Sequence, residues 1–423
     1  MQTVDRSKLF TASCLALLVT SLSFGIRAGL LVRWGEEFQL STQEIANIAA
    51  TAFWSFPLAI IIGGMLVDSL GMKKLLVIAF VLHLVAIVMT IFAEGYWTLY
   101  ISTLLIGAGN GVVEAACNPL VPSLYPENKT TKLNHFHLWF PAGIVIGSLI
   151  VFAFDSIGLN WQIQMATMII PTVIYGYLFA KLKFPLTERV SSGVSTSEMY
   201  KSLLNPLFIF MLICMFGTAI TELFTNQWIG ILLKNVTENA ILILMLTTGV
   251  MVIGRGFAGP IVHRFSSTGV LLISAIVSVV GLYLLANTDG ALLFVGALVF
   301  GVGVCYFWPT MIGFVAEYIP KTGAVGIGLI GAAGMFAVSV YMMFMGGFYD
   351  NKVLAKLPTG ASIDEYLAAE PGTQMATDYL KAMNEAGPEI LNATLIIPII
   401  LVFAFTGLYF YMKNKTKGHQ VKG

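Results

Sequence analysis

Apolar runs of about twenty residues recur along the whole chain, near 9–33, 44–67, 75–93, 97–124, 134–155, 161–182, 206–233, 240–262, 269–287, 290–316, 324–348 and 390–412. A helix needs roughly 20 apolar residues to cross the hydrocarbon core of a bilayer. The pattern therefore predicts an all-α membrane protein with twelve transmembrane helices. Composition agrees: 57% of the 423 residues are hydrophobic and 11% are charged, against about 25% charged in a soluble domain. The net charge of +1 gives no electrostatic basis for binding nucleic acid. Cys14, Cys117, Cys214 and Cys305 are scattered through apolar runs, without metal-ligand spacing or a disulfide framework. They read as small buried hydrophobes, and neither a metal nor a cofactor is expected. The run from Leu9 is too long for a cleaved signal and lacks a small-residue cleavage site, so it reads as the first span.

Two connections are longer than the rest. Residues 184–204 are polar, Ser-rich and basic, and read as a cytoplasmic linker between an N-terminal bundle (1–183) and a C-terminal bundle (205–413) followed by a tail (414–423). Residues 350–389 contain Pro358, Gly360, Pro371 and Gly372 and read as an extracytoplasmic insert with two short helices. Lys and Arg counts set the orientation. With twelve spans, one side holds sixteen of them, including Lys73, Lys74, Lys129, Arg189 and Lys413, and the other holds only Arg33, Lys234, Lys352, Lys356 and Lys381. Both termini are expected in the cytoplasm, with the chain crossing the cytoplasmic (inner) membrane.

An internal repeat is visible. Gly64-Met65-Leu66-Val67-Asp68 closes the second span, and Gly259-Pro260-Ile261-Val262-His263 closes the eighth, 195 residues later. Pro126 and Pro320, and the pairs Gly107/Gly109 and Gly301/Gly303, share an offset of 194. Two pseudo-symmetric six-helix bundles related by an axis along the membrane normal follow from this spacing. That plan puts a solute site near the midplane.

Arg255 falls within the eighth span, and three further charges stand out where lipid should forbid them: Arg27 in the first span, Glu114 in the fourth and Glu222 in the seventh. A charge at the centre of a span costs at least about 2.5 kcal/mol to insert, so it has a partner or a function. Arg27 and Glu222 are 195 residues apart, the repeat offset, which predicts equivalent depth in the two halves. They read either as an ion pair tying the halves together or as groups that meet solute and protons. One cation with two carboxylates leaves one surplus negative charge, which one proton would neutralise; Glu114 is the first candidate carrier and Glu222 the second. Asn226 and Trp228 follow Glu222, and Trp308 precedes Pro309; these are candidates for contact with the solute, as Trp139, Tyr306, Phe307 and Tyr341 are more weakly. His135 and His137 open the fifth span and could relay protons, although interfacial polar residues look the same in sequence. The Gly323–Gly334 glycines lie in an apolar span and serve close helix approach. No G-x-x-x-x-G-K-[ST] phosphate loop occurs.

Gly63-Gly64-Met65-Leu66-Val67-Asp68-Ser69-Leu70-Gly71-Met72-Lys73-Lys74 resembles the loop signature of the major facilitator superfamily. The Gly, Leu, Asp, Gly and basic positions match; the Arg that follows the Asp is Ser69 here. The resemblance implies the major facilitator fold and a gating role for Asp68 and Lys73. Glu114-Ala115-Ala116-Cys117-Asn118-Pro119, followed by Lys132-Leu133-Asn134-His135-Phe136-His137, looks like two segments of the fucose permease-like sugar:proton symporters. That resemblance implies a proton-linked role for Glu114, places Asn118 in the same motif, and sets His137 where the family has a sugar-binding Gln. Two positions depart from it: the family's first-span Asp aligns near Ala28, beside Arg27, and its sugar-contacting Asn aligns near Phe140.

The leading expectation is a secondary active transporter moving a sugar or sugar-like solute with protons by alternating access, as a lipid-embedded monomer. The alternative in the same fold is a transporter of an anionic solute, a sugar acid or organic acid, bound through Arg27. A non-transporting membrane receptor or scaffold is the alternative from another class. No nucleophile–base pair or metal cluster supports an enzyme.

Overall fold

The computed structural model describes residues 4–40, 42–226, 240–367, 369–370 and 372–420. Among these, the chain is almost entirely helical. Eleven helices are long and apolar enough to cross a membrane, and a shorter apolar helix, Ile243–Gly256, stands in the remaining place, the eighth. The spans begin with Arg6–Glu37, Thr42–Leu70, Met72–Ile91 and Tyr96–Leu124. Lys129–Ser156, Trp161–Lys181 and Pro206–Phe224 follow. Ala240–Gly256, Ala258–Asn287, Ala291–Tyr318, Gly323–Leu354 and Ile396–Gln420 complete the order. Most edges lie within a few residues of the apolar runs. The last span is the exception. Residues 390–394 belong instead to Gln374–Thr394, an amphipathic 21-residue helix that buries Ala382, Ala386, Ile390 and Leu391 along one face. The insert's other helix, Ile363–Leu367, is a single turn. Trp228 and Lys234 lie outside the described residues.

Breaks in the spans have local causes. Pro141 has no N–H to give the carbonyl of His137, four residues back, and the fifth span divides at Leu138 into Lys129–His137 and Trp139–Ser156. Pro119 and Pro122 sit within the fourth span and leave the carbonyls of Ala115 and Asn118 without a helical donor. Ser266 interrupts Ala258–Asn287 at φ 61°, ψ 164°, so residues 258–265 prolong the eighth span and the ninth starts after Ser266. Gly71, 195 residues earlier, makes the equivalent turn at φ 84°. Glycine adopts this conformation freely, whereas a side chain costs of order 1–3 kcal/mol there. The sequence offset thus recurs as a shared backbone shape.

The described chain forms two compact units. The first gathers Met1–Met215, Arg255–Ser267 and Pro309–Phe336, and the second gathers Phe216–Gly254, Thr268–Trp308 and Ala337–Gly423. These borders cut across the division at the 184–204 linker, because segments of the eighth, tenth and eleventh spans pack into the first unit. There Gly313 stands against Thr130, and Gly328 against Ile60. The first and fifth spans cross at Gly25 and Gly147, where a Cβ on Gly25 would lie 2.6 Å from the carbonyl oxygen of Ile144. Backbone cannot yield there as a flexible side chain can. Gly25→Val is expected to lower stability by about 1–3 kcal/mol through overpacking, read as a fall in the melting temperature of the purified protein; an unchanged melting temperature would contradict this crossing. In the second unit, Gly281 and Gly303 let the ninth and tenth spans approach equally closely, against Phe300 and Ser278.

Candidate functional site

The fourth span carries the centre of the site. Glu114 is 2% exposed and Asn118, one turn further on, is 1% exposed. This i,i+4 spacing stacks the two side chains on one helix face, and Asn118 Nδ2 donates to Glu114 Oε2 at 2.6 Å. Asn118 Oδ1 meets His137 Nε2 at 3.0 Å. A carbonyl oxygen only accepts, so the imidazole carries its proton on Nε2. The carbonyl of His137, left without a helical donor by Pro141, accepts from Arg255 Nη1 at 2.9 Å. Carboxylate, amide and imidazole thus form one buried chain, with a guanidinium at its far end. All four residues belong to the first unit. Among the described residues, no hydrogen bond or ion pair joins Arg27 to Glu114.

Arg27 is 5% exposed. Its guanidinium lies over the Phe24 ring at 5.0 Å, and its Nη1 is buried without a hydrogen-bond acceptor. Phe24 packs on Phe53, Phe56 and Phe140, with ring centroids 5.6, 6.3 and 5.9 Å apart. Phe140 therefore links the Arg27 cluster to the fifth span, three residues from His137.

Glu222, Asn226 and Trp308 belong to the second unit. Glu222 is 3% exposed and sits in a five-residue π-helical turn, Ile220–Phe224, a distortion that often marks functional positions in helices. Asn226 Nδ2 is 3.8 Å from Met251 Sδ, a weak contact, and Trp308 is 7% exposed.

A second cluster in the first unit surrounds Asp68. Arg189 Nε donates to Asp68 Oδ2 at 2.6 Å, the Thr187 hydroxyl donates to Oδ1, and Arg189 Nη1 reaches the carbonyl of Val194 at 2.7 Å. The cation that Ser69 fails to supply thus comes from the linker. Lys73 Nζ donates to the carbonyl of Leu182 at 3.1 Å. Nearby, Lys129 pairs with Glu188 and donates to the carbonyl of Ala316 at 3.0 Å. Glu317 accepts from the Thr130 backbone at 3.0 Å, its hydroxyl at 2.6 Å and Ser267 at 3.1 Å. These contacts close this end of the first unit.

Sequence reasoning missed several of these groups. Arg255 was visible as a charge within a span, but nothing local names its partner; Pro141, which frees the His137 carbonyl, was the available signal. It also missed His83, which is 1% exposed and bonds Tyr175 at 2.8 Å and Asn110 at 2.9 Å. Asn110 in turn donates to Ser23 at 3.1 Å. This network ties the first, third, fourth and sixth spans together.

Residues 13–342 match the family model described as Major Facilitator Superfamily. The galactose-proton symporter of Escherichia coli (strain K12) is 25% identical over 190 residues, 42% of this chain and 41% of that protein. A D-xylose transporter of Levilactobacillus brevis is 21% identical over 175 residues, 41% of this chain and 38% of that protein. The chain thus spans well under half the length of these curated relatives. Among solved structures, the transporter FucP in its outward conformation superposes with a TM-score of 0.69 at 15% identity, covering 93% of this chain and 98% of that one. The proton:xylose symporter XylE gives 0.68 at 14% identity, covering 94% and 96%. At such identities these likenesses establish the fold.

Proposed function

Because the chain belongs to the major facilitator superfamily, we propose that it is a secondary active transporter carrying a sugar or sugar-like solute in symport with protons by alternating access. The Glu114–Asn118–His137 chain is the observation that carries this reading. While Glu114 is ionised, Asn118 spends its N–H on the carboxylate and its carbonyl on His137. A proton on Oε2 turns that oxygen into a donor. Where that O–H points at Asn118, two donors face each other, and the amide turns over or withdraws to relieve the repulsion. Either movement changes what His137 and Asn118 offer to a solute hydroxyl. One amide would thus read both the proton and the solute, which is the minimum a symporter requires. Glu222, in its π-helical turn in the second unit, is the second carboxylate in this proposal. Asp68, Arg189 and Lys73 would hold one gate shut. The resemblance of the Glu114 and His137 segments to sugar:proton symporters, and likeness to galactose-proton and xylose transporters, support a sugar as the solute class. The Lys and Arg bias supports cytoplasmic termini in the inner membrane.

The test is uptake of labelled sugars by purified protein in liposomes, with and without an acid-outside pH gradient. Gradient-dependent accumulation of at least one sugar is the expected outcome. Equal uptake with and without the gradient would remove proton symport, and no uptake of any solute would revive a receptor or scaffold role.

A further inference from the structure

We infer that the solute carries a carboxylate, and that Arg27 is the residue that selects it. This rests on the transport reading above and narrows its substrate class to sugar acids. Arg27 is nineteen-twentieths withdrawn from solvent, and its Nη1 has no acceptor. A guanidinium cannot escape the charge by losing its proton, so burial removes hydration that something must replace. The Phe24 face at 5.0 Å returns only a fraction of it.

Other acids of the first unit are engaged elsewhere. Glu114 is held by Asn118. Asp155 pairs with Arg33, Asp68 with Arg189, and Glu37 accepts from Trp161. Among the described residues, no carboxylate stands within ion-pair distance of Arg27. An arriving anion would supply what is missing, and the planar guanidinium fork matches a carboxylate in two parallel hydrogen bonds. One cation suits a monoanion better than a doubly charged phosphate. Phe24, which lies under Arg27, packs on Phe140, and Phe140 is three residues from His137 in the fifth span. A sugar acid could therefore place its carboxylate on Arg27 and its hydroxyls toward Asn118 and His137.

The experiment compares neutral and acidic members of the same sugars in liposomes containing the full-length protein under an acid-outside gradient. D-glucose and D-galactose are set against D-glucuronate, D-galacturonate and D-gluconate. At least one acid should half-saturate uptake at a concentration tenfold or more below that of its neutral counterpart. Arg27→Gln should raise that concentration at least tenfold for the acid, and by a much smaller factor for its neutral counterpart, so that the preference for the acid is lost; Arg27→Lys should fall between, keeping charge without the fork. An unchanged melting temperature checks that Arg27→Gln remains folded. Accumulation of neutral sugars but not of acids, or acid uptake indifferent to Arg27→Gln, overturns the inference and leaves sugar transport standing. Accumulation of no member of the set overturns both.

Discussion

Glu114→Gln should abolish uphill accumulation while leaving solute exchange intact. With one proton per solute, a pH difference of two units sustains about a hundredfold concentration gradient, since each unit is worth about 1.4 kcal/mol. The variant should bring that ratio to about one. Gln keeps an oxygen where Asn118 Nδ2 donates at 2.6 Å, so the hydrogen-bonded chain to His137 survives, but the group can no longer take up a proton. The measurement is the plateau of labelled solute in liposomes under an imposed gradient, alongside counterflow with both sides at one pH. Full accumulation by the variant would remove Glu114 from the coupling step. Loss of counterflow as well would mean that Gln had damaged solute binding instead.

Asp68→Asn should loosen the end of the first unit that the linker closes. The side chains of Arg189 and Asp68 are 10% and 9% exposed, so their contact is largely shielded from solvent, unlike a surface ion pair. Hydrogen bonds to charged groups contribute about 1.5–3 kcal/mol. Losing one shifts an open–closed balance by roughly ten- to a hundredfold, at about 1.4 kcal/mol per decade. The readout is maleimide labelling of a cysteine placed at Ala324, which is 2% exposed, in a background lacking Cys14, Cys117, Cys214 and Cys305. Labelling should accelerate by that factor. Exchanging the charges, with Asp68→Arg and Arg189→Asp together, should restore much of the protection. No change in either variant would reduce this contact to decoration of the loop.

The parts legible in the sequence are those governed by local or periodic rules. Span number follows from hydrocarbon thickness, and the repeat offset returns as the matched turns at Gly71 and Ser266. Glu114 and Asn118 were readable together because four residues make one helical turn. Arg189 was counted as one more basic residue of the linker, because no spacing rule connects a loop cation to Asp68. The pairing of Arg255 with the His137 carbonyl is equally non-local. It depends on a proline four residues after an acceptor, a signal that makes sense only once the helices are packed. The last span began late because 374–394 carries its apolar residues on one face, whereas the twenty-residue run was read as apolar throughout.

Proton movement recorded during solute entry bears most directly on the coupling assigned to Glu114. Liposomes containing the protein and an internal pH dye, with membrane potential clamped by potassium and valinomycin, would receive solute from outside. Acidification of the lumen in step with solute entry, absent in Glu114→Gln, is the expected result. Solute entering wild-type vesicles with no change in internal pH would contradict it.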